Sequence, residues 1–339
     1  MLKFLVFADF HYKKGMYTTT VSDLEAILAR AAREKVDFVV HLGDLCNDYL
    51  GSPEILRTTL QNPYDLPVYG VLGNHELESE GNSLEVVIPQ LCNRPVTFAG
   101  EKKAYWFTDW NEYRLIALDT NHSYNEALGI WEHNHTNTVG HPEGNIYPHS
   151  LGPEQLNWLE GVLTDADEKQ KKCLIFTHAD LTGLWDPSPD AYAAQAVIGK
   201  HPGRVMLVLN GHNHKDHFTV IDNVMYMDIN TVRNGRWKLE EKHHYPDELT
   251  FGLEKYDIQG NPTEVQNIPL NTLSQAINTW FFADPLCAVV TVEGKTISVE
   301  GSQTQWIYGI TPPNPPDGCY PQIACRKVTL QQTSKRHRP

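Results

Sequence analysis

Aspartate, histidine and asparagine recur along this chain in five short motifs: Asp9 and His11 in ADFH, Asp44 in GDLCND, Asn74 and His75 in GNHE, His178 in FTH, and His212 and His214 in GHNH. Carboxylate, amide and imidazole donors in this mixture suit Mn, Fe or Zn, and the set holds no thiolate that would suggest an iron–sulfur cluster. The reading is a pair of divalent or mixed-valence metal ions. Two ions can bind both the attacking and the leaving oxygens of an in-line displacement at phosphorus, and one carboxylate can bridge them. Asp44 is the candidate bridge. Two cations also lower the pKa of a water they share, so no serine or cysteine nucleophile is required and Cys46 reads as a bystander.

These residues are useful only if separate stretches of chain converge. FLVFAD, VDFVVHLGD, PVYGVLGNH, KCLIFTH and RVMLVLNGH are apolar, β-branched or aromatic runs, each read as a strand that stops where the polar residues begin. Ligands at the carboxyl ends of strands in an α/β sheet lie where binding crevices form. Between the first two motifs, Ser22, Asp23, Leu24 and Glu25 read as a capping box, and Leu24, Ile27, Leu28 and Ala31 form the apolar stripe of a helix. RLIALD reads as another strand. LGPEQLNWLEGVL reads as a helix opening near Pro153, with Leu156, Leu159 and Leu163 on one face. HFTVIDNVMYMDIN reads as a hairpin turning at Asp222 and Asn223.

In this order the motifs resemble the calcineurin-like metallophosphoesterase superfamily, whose pattern runs D-x-H, GD-x-x-N/D, GNH-D/E, H and GH-x-H; the resemblance covers residues 1 to 235. It implies an α/β fold, a four-layer α/β/β/α sandwich of two mixed sheets. It also implies one metal held by Asp9, His11, Asp44 and His214, and a second held by Asp44, Asn74, His178 and His212. His75 is then a histidine beside the phosphate that binds no metal. An imidazole titrates near neutrality, so His75 suits protonation of the leaving group. Glu76 either orients that ring or is a carboxylate in the first turn of a helix, and Asn47 and Asp48 are further candidates for support around the metals.

The implied enzyme is a phosphatase or phosphodiesterase acting on a small-molecule phosphomonoester or phosphodiester. The motifs do not separate these two. A nuclease using the same site is an alternative, but a net charge of −14 lacks the basic surface that nucleic acid calls for. A binding or assembly module that keeps the fold without turnover is another. No run approaches about 18 apolar residues, so no membrane span is expected. The first strand carries ligands immediately, and the six cysteines show no C-x-x-C spacing, so a cytoplasmic protein with reduced thiols is expected; only Cys319 and Cys325 are near enough in sequence for a small loop disulfide.

The polar stretch from Asn121 to Ser150 reads either as a lid or as a solvated excursion, because loops of that length without regular structure are uncommon unless they bind something or are disordered. Asn121 and His122 are its candidates for contacting substrate. Trp185, in the loop after His178, is a third. Residues 1–236 are expected to form the catalytic domain and 237–310 a β-rich C-terminal extension packed on it or forming a homo-oligomer contact. That extension would be anchored by Trp280, Phe281 and Phe282 and include a hairpin turning at Glu293, Gly294 and Lys295. Residues 311–339 read as a Pro-rich, then basic, tail, either docked or disordered.

Overall fold

The computed structural model of the protein describes residues 1–13, 18–79, 81–126, 128–133, 149–184, 188–236, 245–257, 259–273 and 279–331. The apolar runs form the predicted strands. In the first sheet, β1 (Leu2–Phe7), β2 (Phe38–His41) and β3 (Val68–Gly70) run parallel, so the motifs that follow them emerge at one edge. The second sheet contains β4 (Thr97–Phe98), β5 (Trp106–Trp110), β6 (Tyr113–Ala117), β9 (Lys172–Thr177), β10 (Val205–Asn210), β11 (His217–Ile221) and β12 (Val224–Asp228). Its order is β11-β12-β10-β9-β6-β5-β4, with β6, β9, β10 and β12 parallel.

The two sheets pack face to face. Phe4, Val6, Phe38 and Val40 from the first meet Leu115, Leu174, Phe176 and Leu209 from the second. Phe4 stacks on Phe38 with centroids 4.9 Å apart and meets the edge of Phe176 at 5.8 Å, joining the layers through one aromatic cluster. Each such buried ring contributes about 1.5–3 kcal/mol. The outer face of the first sheet is covered by α1 (Val21–Arg33), α2 (Pro53–Leu60) and α3 (Leu84–Val87). That of the second is covered by α4 (Gly152–Glu168) and α5 (Ala191–Gly199). The architecture is the expected α/β/β/α sandwich.

Helix α1 buries Leu24, Ile27, Leu28 and Ala31 as its spacing requires, but its capping box lies earlier than expected. Thr20, with an extended backbone, accepts from the Asp23 amide, and Asp23 accepts from the Thr20 amide. Ser22 already lies inside the first turn, where its hydroxyl meets Glu254. Asp222 and Asn223 both have left-handed backbones between β11 and β12, as a tight hairpin turn demands.

Beyond Arg236 the chain contributes to both old and new structure. β13 (Asn234–Arg236) pairs with β16 (Thr279–Phe281), and β14 (Thr250–Tyr256) pairs with β15 (Pro262–Pro269) in a separate ribbon. The hairpin of β17 (Ala288–Glu293) and β18 (Thr296–Gly301) forms where expected. It also completes the first sheet, with β17 antiparallel to β1 and β19 (Arg326–Thr329) at the edge, in the order β19-β18-β17-β1-β2-β3. Trp280, Phe281 and Phe282 are all buried. The Pro-rich segment is docked on the body through Asn230, whose amide donates to the carbonyls of Tyr320 and Gln322 at 2.7 and 3.2 Å. Cys319 and Cys325 are free thiols. The basic residues 335–338, together with His243 and His244, lie outside the described residues. Among the described residues no helix is long and apolar enough to cross a membrane.

Candidate dinuclear metal centre

The loops after β1, β2, β3, β9 and β10 meet at one edge of the sandwich and bring all eight motif residues into a single hollow. Asp44 lies at its middle: Oδ2 is 3.6 Å from His11 Nε2, 3.3 Å from His178 Nε2 and 3.8 Å from His75 Nε2. Asp9 Oδ1 lies 3.4 Å from His214 Nε2. Asn74 Oδ1 is 2.9 Å from His178 Nε2 and 3.1 Å from His212 Nδ1. Asp9, His11, Asp44, His178 and His214 are buried, and three groups of donors among them and His75 are compact enough to hold an ion.

The backbone is strained to achieve this. Asp9, His11, Asp44, His212 and His214 all have positive φ, between 51° and 67°. Left-handed geometry costs a non-glycine residue of the order of 1–3 kcal/mol and persists where neighbours over-determine it. Here the loops are stitched together: the Asp9 and His11 amides donate to the carbonyls of Gly43 and Asp44 at 3.2 and 2.7 Å, and the His212 amide donates to the Asp9 carboxylate at 2.9 Å. Gly43, with φ of 91°, leaves the space that His178 needs, since a Cβ there would lie 2.5 Å from His178 Nδ1. Gly73 is required for close approach, because its Cβ would lie 2.1 Å from Asp44 Oδ1.

The hydrogen-bond chemistry fits cations. His178 Nδ1 faces the Leu42 carbonyl at 2.7 Å, His214 Nδ1 faces the Asn234 carbonyl at 2.6 Å, and His11 Nδ1 faces the Asn47 amide oxygen at 3.2 Å. A carbonyl oxygen only accepts, so each Nδ1 carries a hydrogen and each ring presents Nε2 inward as the atom a cation would take. His11 Nε2 and His214 Nε2 then face each other at 3.0 Å beside two carboxylates. A hollow lined by acceptors calls for positive charge. Burial pulls the His178 pKa down, but the Asp44 carboxylate outweighs it and raises the pKa to about 10. Burial alone would raise the Asp44 pKa, yet His178 and His75 hold it well below the carboxylate range. Burial is also the main cause of the lowered pKa values of His11 and His212.

The surrounding residues divide differently from the sequence expectation. Glu76 does not orient His75 and is not a helix-turn carboxylate. It is buried and accepts from the Leu45 and Gly73 amides at 2.5 and 2.7 Å, tying the loops that carry Asp44 and Asn74 together; burial, then Asp44, raises its pKa to about 8. The carboxylate at His75 is that of Glu78, 2.7 Å from Nδ1, a residue three positions on that sequence reading passed over. Asn47 touches both His11 and His75, whereas Asp48 accepts from Gly51 in a local turn. The Asn121 amide is engaged by the carbonyls of Leu72 and Gly73 and by Asp119, and His122 packs on Tyr105 and His133, so these two support the GNH loop and the adjoining hairpin. That hairpin, β7 (His122–Asn125) and β8 (Ile130–His133), gives part of the expected lid regular structure. His149 packs its ring on His212 with centroids 4.2 Å apart, a contact that nothing in its polar surroundings announced. Trp185 and residues 134–148 lie outside the described residues.

Residues 2–216, well over half of the chain, match the calcineurin-like phosphoesterase family. The chain belongs to that family. Among its relatives, the manganese-dependent ADP-ribose/CDP-alcohol diphosphatase of Bos taurus is 27% identical over 216 residues, covering 52% of this chain and 63% of the bovine protein. The Homo sapiens protein of the same name is 26% identical over 259 residues, covering 62% of this chain and 73% of its own. The chain thus spans less than two thirds of the bovine relative. Among solved structures, a dimetal phosphatase from Danio rerio shares the fold of this chain at a TM-score of 0.57 and 16% identity, over 97% of this chain and 99% of that one.

Proposed function

We propose that the chain is a dinuclear metal-dependent phosphoric ester hydrolase with a small-molecule substrate. The observation that carries this reading is the buried hollow of acceptors, in which Asp44 stands within 4 Å of His11, His75 and His178. One ion would be held by Asp9, His11, Asp44 and His214, the other by Asp44, Asn74, His178 and His212. All of these lie within residues 1–236, for which we propose the catalytic role. Mn is the first ion to test, because the bovine and human relatives are manganese-dependent by name. When bound, the two ions supply Lewis acidity to the phosphoryl oxygens and a lowered pKa to a water they share.

The chain's own residues orient and move protons. The His75 amide donates to Asp44 Oδ1 at 2.9 Å, which fixes the GNH loop against the shared carboxylate. His75 Nε2 faces the hollow and gives its proton to the leaving oxygen as the bond from that oxygen to phosphorus breaks. The oxygen of water forms the new bond to phosphorus, and the proton that the water releases restores the ring. Cys46 has no part in this: it is buried, and burial pushes its thiol well above the ordinary pKa, away from the reactive thiolate.

The test is hydrolysis by chelator-stripped protein to which Mn, Zn, Fe, Ni and Mg are returned separately. p-Nitrophenyl phosphate, bis-p-nitrophenyl phosphate, ADP-ribose and a CDP-alcohol serve as substrates. Turnover restored by Mn is expected, and the preferred substrate separates monoester, diester and diphosphate chemistry. Silence on all four with every ion would overturn the proposal.

A further inference from the structure

His75 differs from the other imidazoles of the hollow in what holds it. His11, His178 and His214 turn Nδ1 to neutral oxygens, whereas His75 turns Nδ1 to the Glu78 carboxylate at 2.7 Å. The geometry is built from both sides. The Glu78 amide donates to the His75 carbonyl at 3.2 Å, closing a turn that brings residues 75 and 78 together. The hydroxyl of Ser79 donates to the Asn47 carbonyl at 2.7 Å and fixes the turn on the loop that carries Asp44. Asn47 Nδ2 lies 3.0 Å from Glu78 Oε2 and 2.9 Å from His75 Nδ1, while its Oδ1 lies 3.2 Å from His11 Nδ1.

One assignment of hydrogens satisfies both contacts of Glu78, with His75 Nδ1 and Asn47 Nδ2, themselves 2.9 Å apart, both donating to its carboxylate. Ionised Glu78 only accepts, so Nδ1 of His75 is the donor between them. The Asn47 amide hydrogen then goes to Glu78, and the Asn47 oxygen accepts from His11. One asparagine and one glutamate thereby set two rings at once, each with Nε2 inward. The Glu78 side chain is 15% exposed, which limits screening of these bonds by water.

We propose that Glu78 is the positioning residue for His75, holding its ring so that Nε2 meets the leaving oxygen. This rests on the reading of His75 as the proton donor. The experiment compares Mn-loaded full chain, Glu78→Ala, Glu78→Gln and His75→Ala on the p-nitrophenyl and methyl esters of one nucleotide. An aryl leaving group needs little help from an acid, and an alkoxide needs much. Glu78→Ala is expected to lower kcat about 10- to 100-fold on the methyl ester, with KM and bound Mn unchanged and a far smaller loss on the aryl ester. Glu78→Gln, which keeps an acceptor oxygen, is expected to recover most of it.

Equal losses on both esters, or loss of Mn, would make Glu78 structural and overturn the proposal. Methyl-ester turnover retained in His75→Ala would remove the donor reading and the proposal with it. Turnover lost in His75→Ala but kept in Glu78→Ala would overturn the proposal alone. Should the alanine variant fail to fold, or neither ester react, the ¹⁵N spectrum of histidines in the unsubstituted, metal-stripped protein decides. A hydrogen on His75 Nδ1 supports the proposal, and a bare Nδ1 overturns it.

Discussion

The two sheets contribute unlike halves to the hollow. Loops of the first sheet bring the oxygen donors Asp9, Asp44 and Asn74, together with His11; loops of the second bring the imidazoles His178, His212 and His214. The oxygen half is braced mainly from within, by the Glu76 carboxylate across two of its loops and by backbone bonds between Asp9 and Gly43 and between His11 and Asp44. The imidazole half relies on remote chain. His178 leans on Leu42 of the first sheet, His214 leans on Asn234, and Asp216 is gripped by Arg326 at 2.6 and 2.9 Å and by the Ala324 amide at 2.9 Å. Damage to the first half should therefore act at the metals, and damage to the second should act first on stability.

Asp44→Asn gives the sharpest break. It removes the charge both ions would share, so metal content and turnover should fall together, turnover by more than about 100-fold; mass-spectrometric metal analysis beside an ester assay checks this, and full metal content would refute the bridge. Gly73→Ala comes next. Its Cβ would press on the Asp44 side chain and backbone, so a loss of about 10-fold or more in Mn affinity is expected with the fold retained, read by metal titration followed by circular dichroism. Asp216→Ala tests the other half. Removing one partner of a nearly buried ion pair costs about 3 kcal/mol, and urea unfolding should show that loss while saturating Mn restores most turnover.

The smallest effect concerns Asp119, which braces the hairpin beside the site through His133 at 2.8 Å and Asn121 at 3.0 Å. Burial raises its pKa, but the imidazoles of His133 and His122 outweigh burial and hold it well below the carboxylate range. The sign follows: the stabilisation is fully present above the unfolded carboxyl value of about 3.9 and is lost as pH falls towards the folded value. Asp119→Asn should cost about 1.5 kcal/mol at neutral pH. Stability curves of the parent and the variant should converge below about pH 4; a gap that stays constant on acidification would count against the charge.

The same contrast explains what could be read beforehand. Asp9, Asp44, Asn74 and His212 were legible because each motif directly follows an apolar strand, and a strand's end fixes where its next residue can be. Glu78 was missed although it lies three residues from His75, since only the turn closed by its own amide makes that spacing a contact. His149 was indistinct because ring packing across loops leaves no periodic trace. The hairpin at residues 288–301 was legible from its alternation and turn. Its partner was not, because pairing with β1 joins residues nearly the whole chain apart and no local pattern records it.

That pairing has a consequence for the order of events in the cell. β1 carries Asp9 and His11 at its end and is made long before β17, one of its two flanking partners and the later of the two along the chain. Until then β1 has an open edge, a template for pairing with any other chain. Ligands at the end of β1 thus wait for a strand made much later, so a truncation or stall before residue 288 should yield an aggregation-prone species rather than a smaller folded domain.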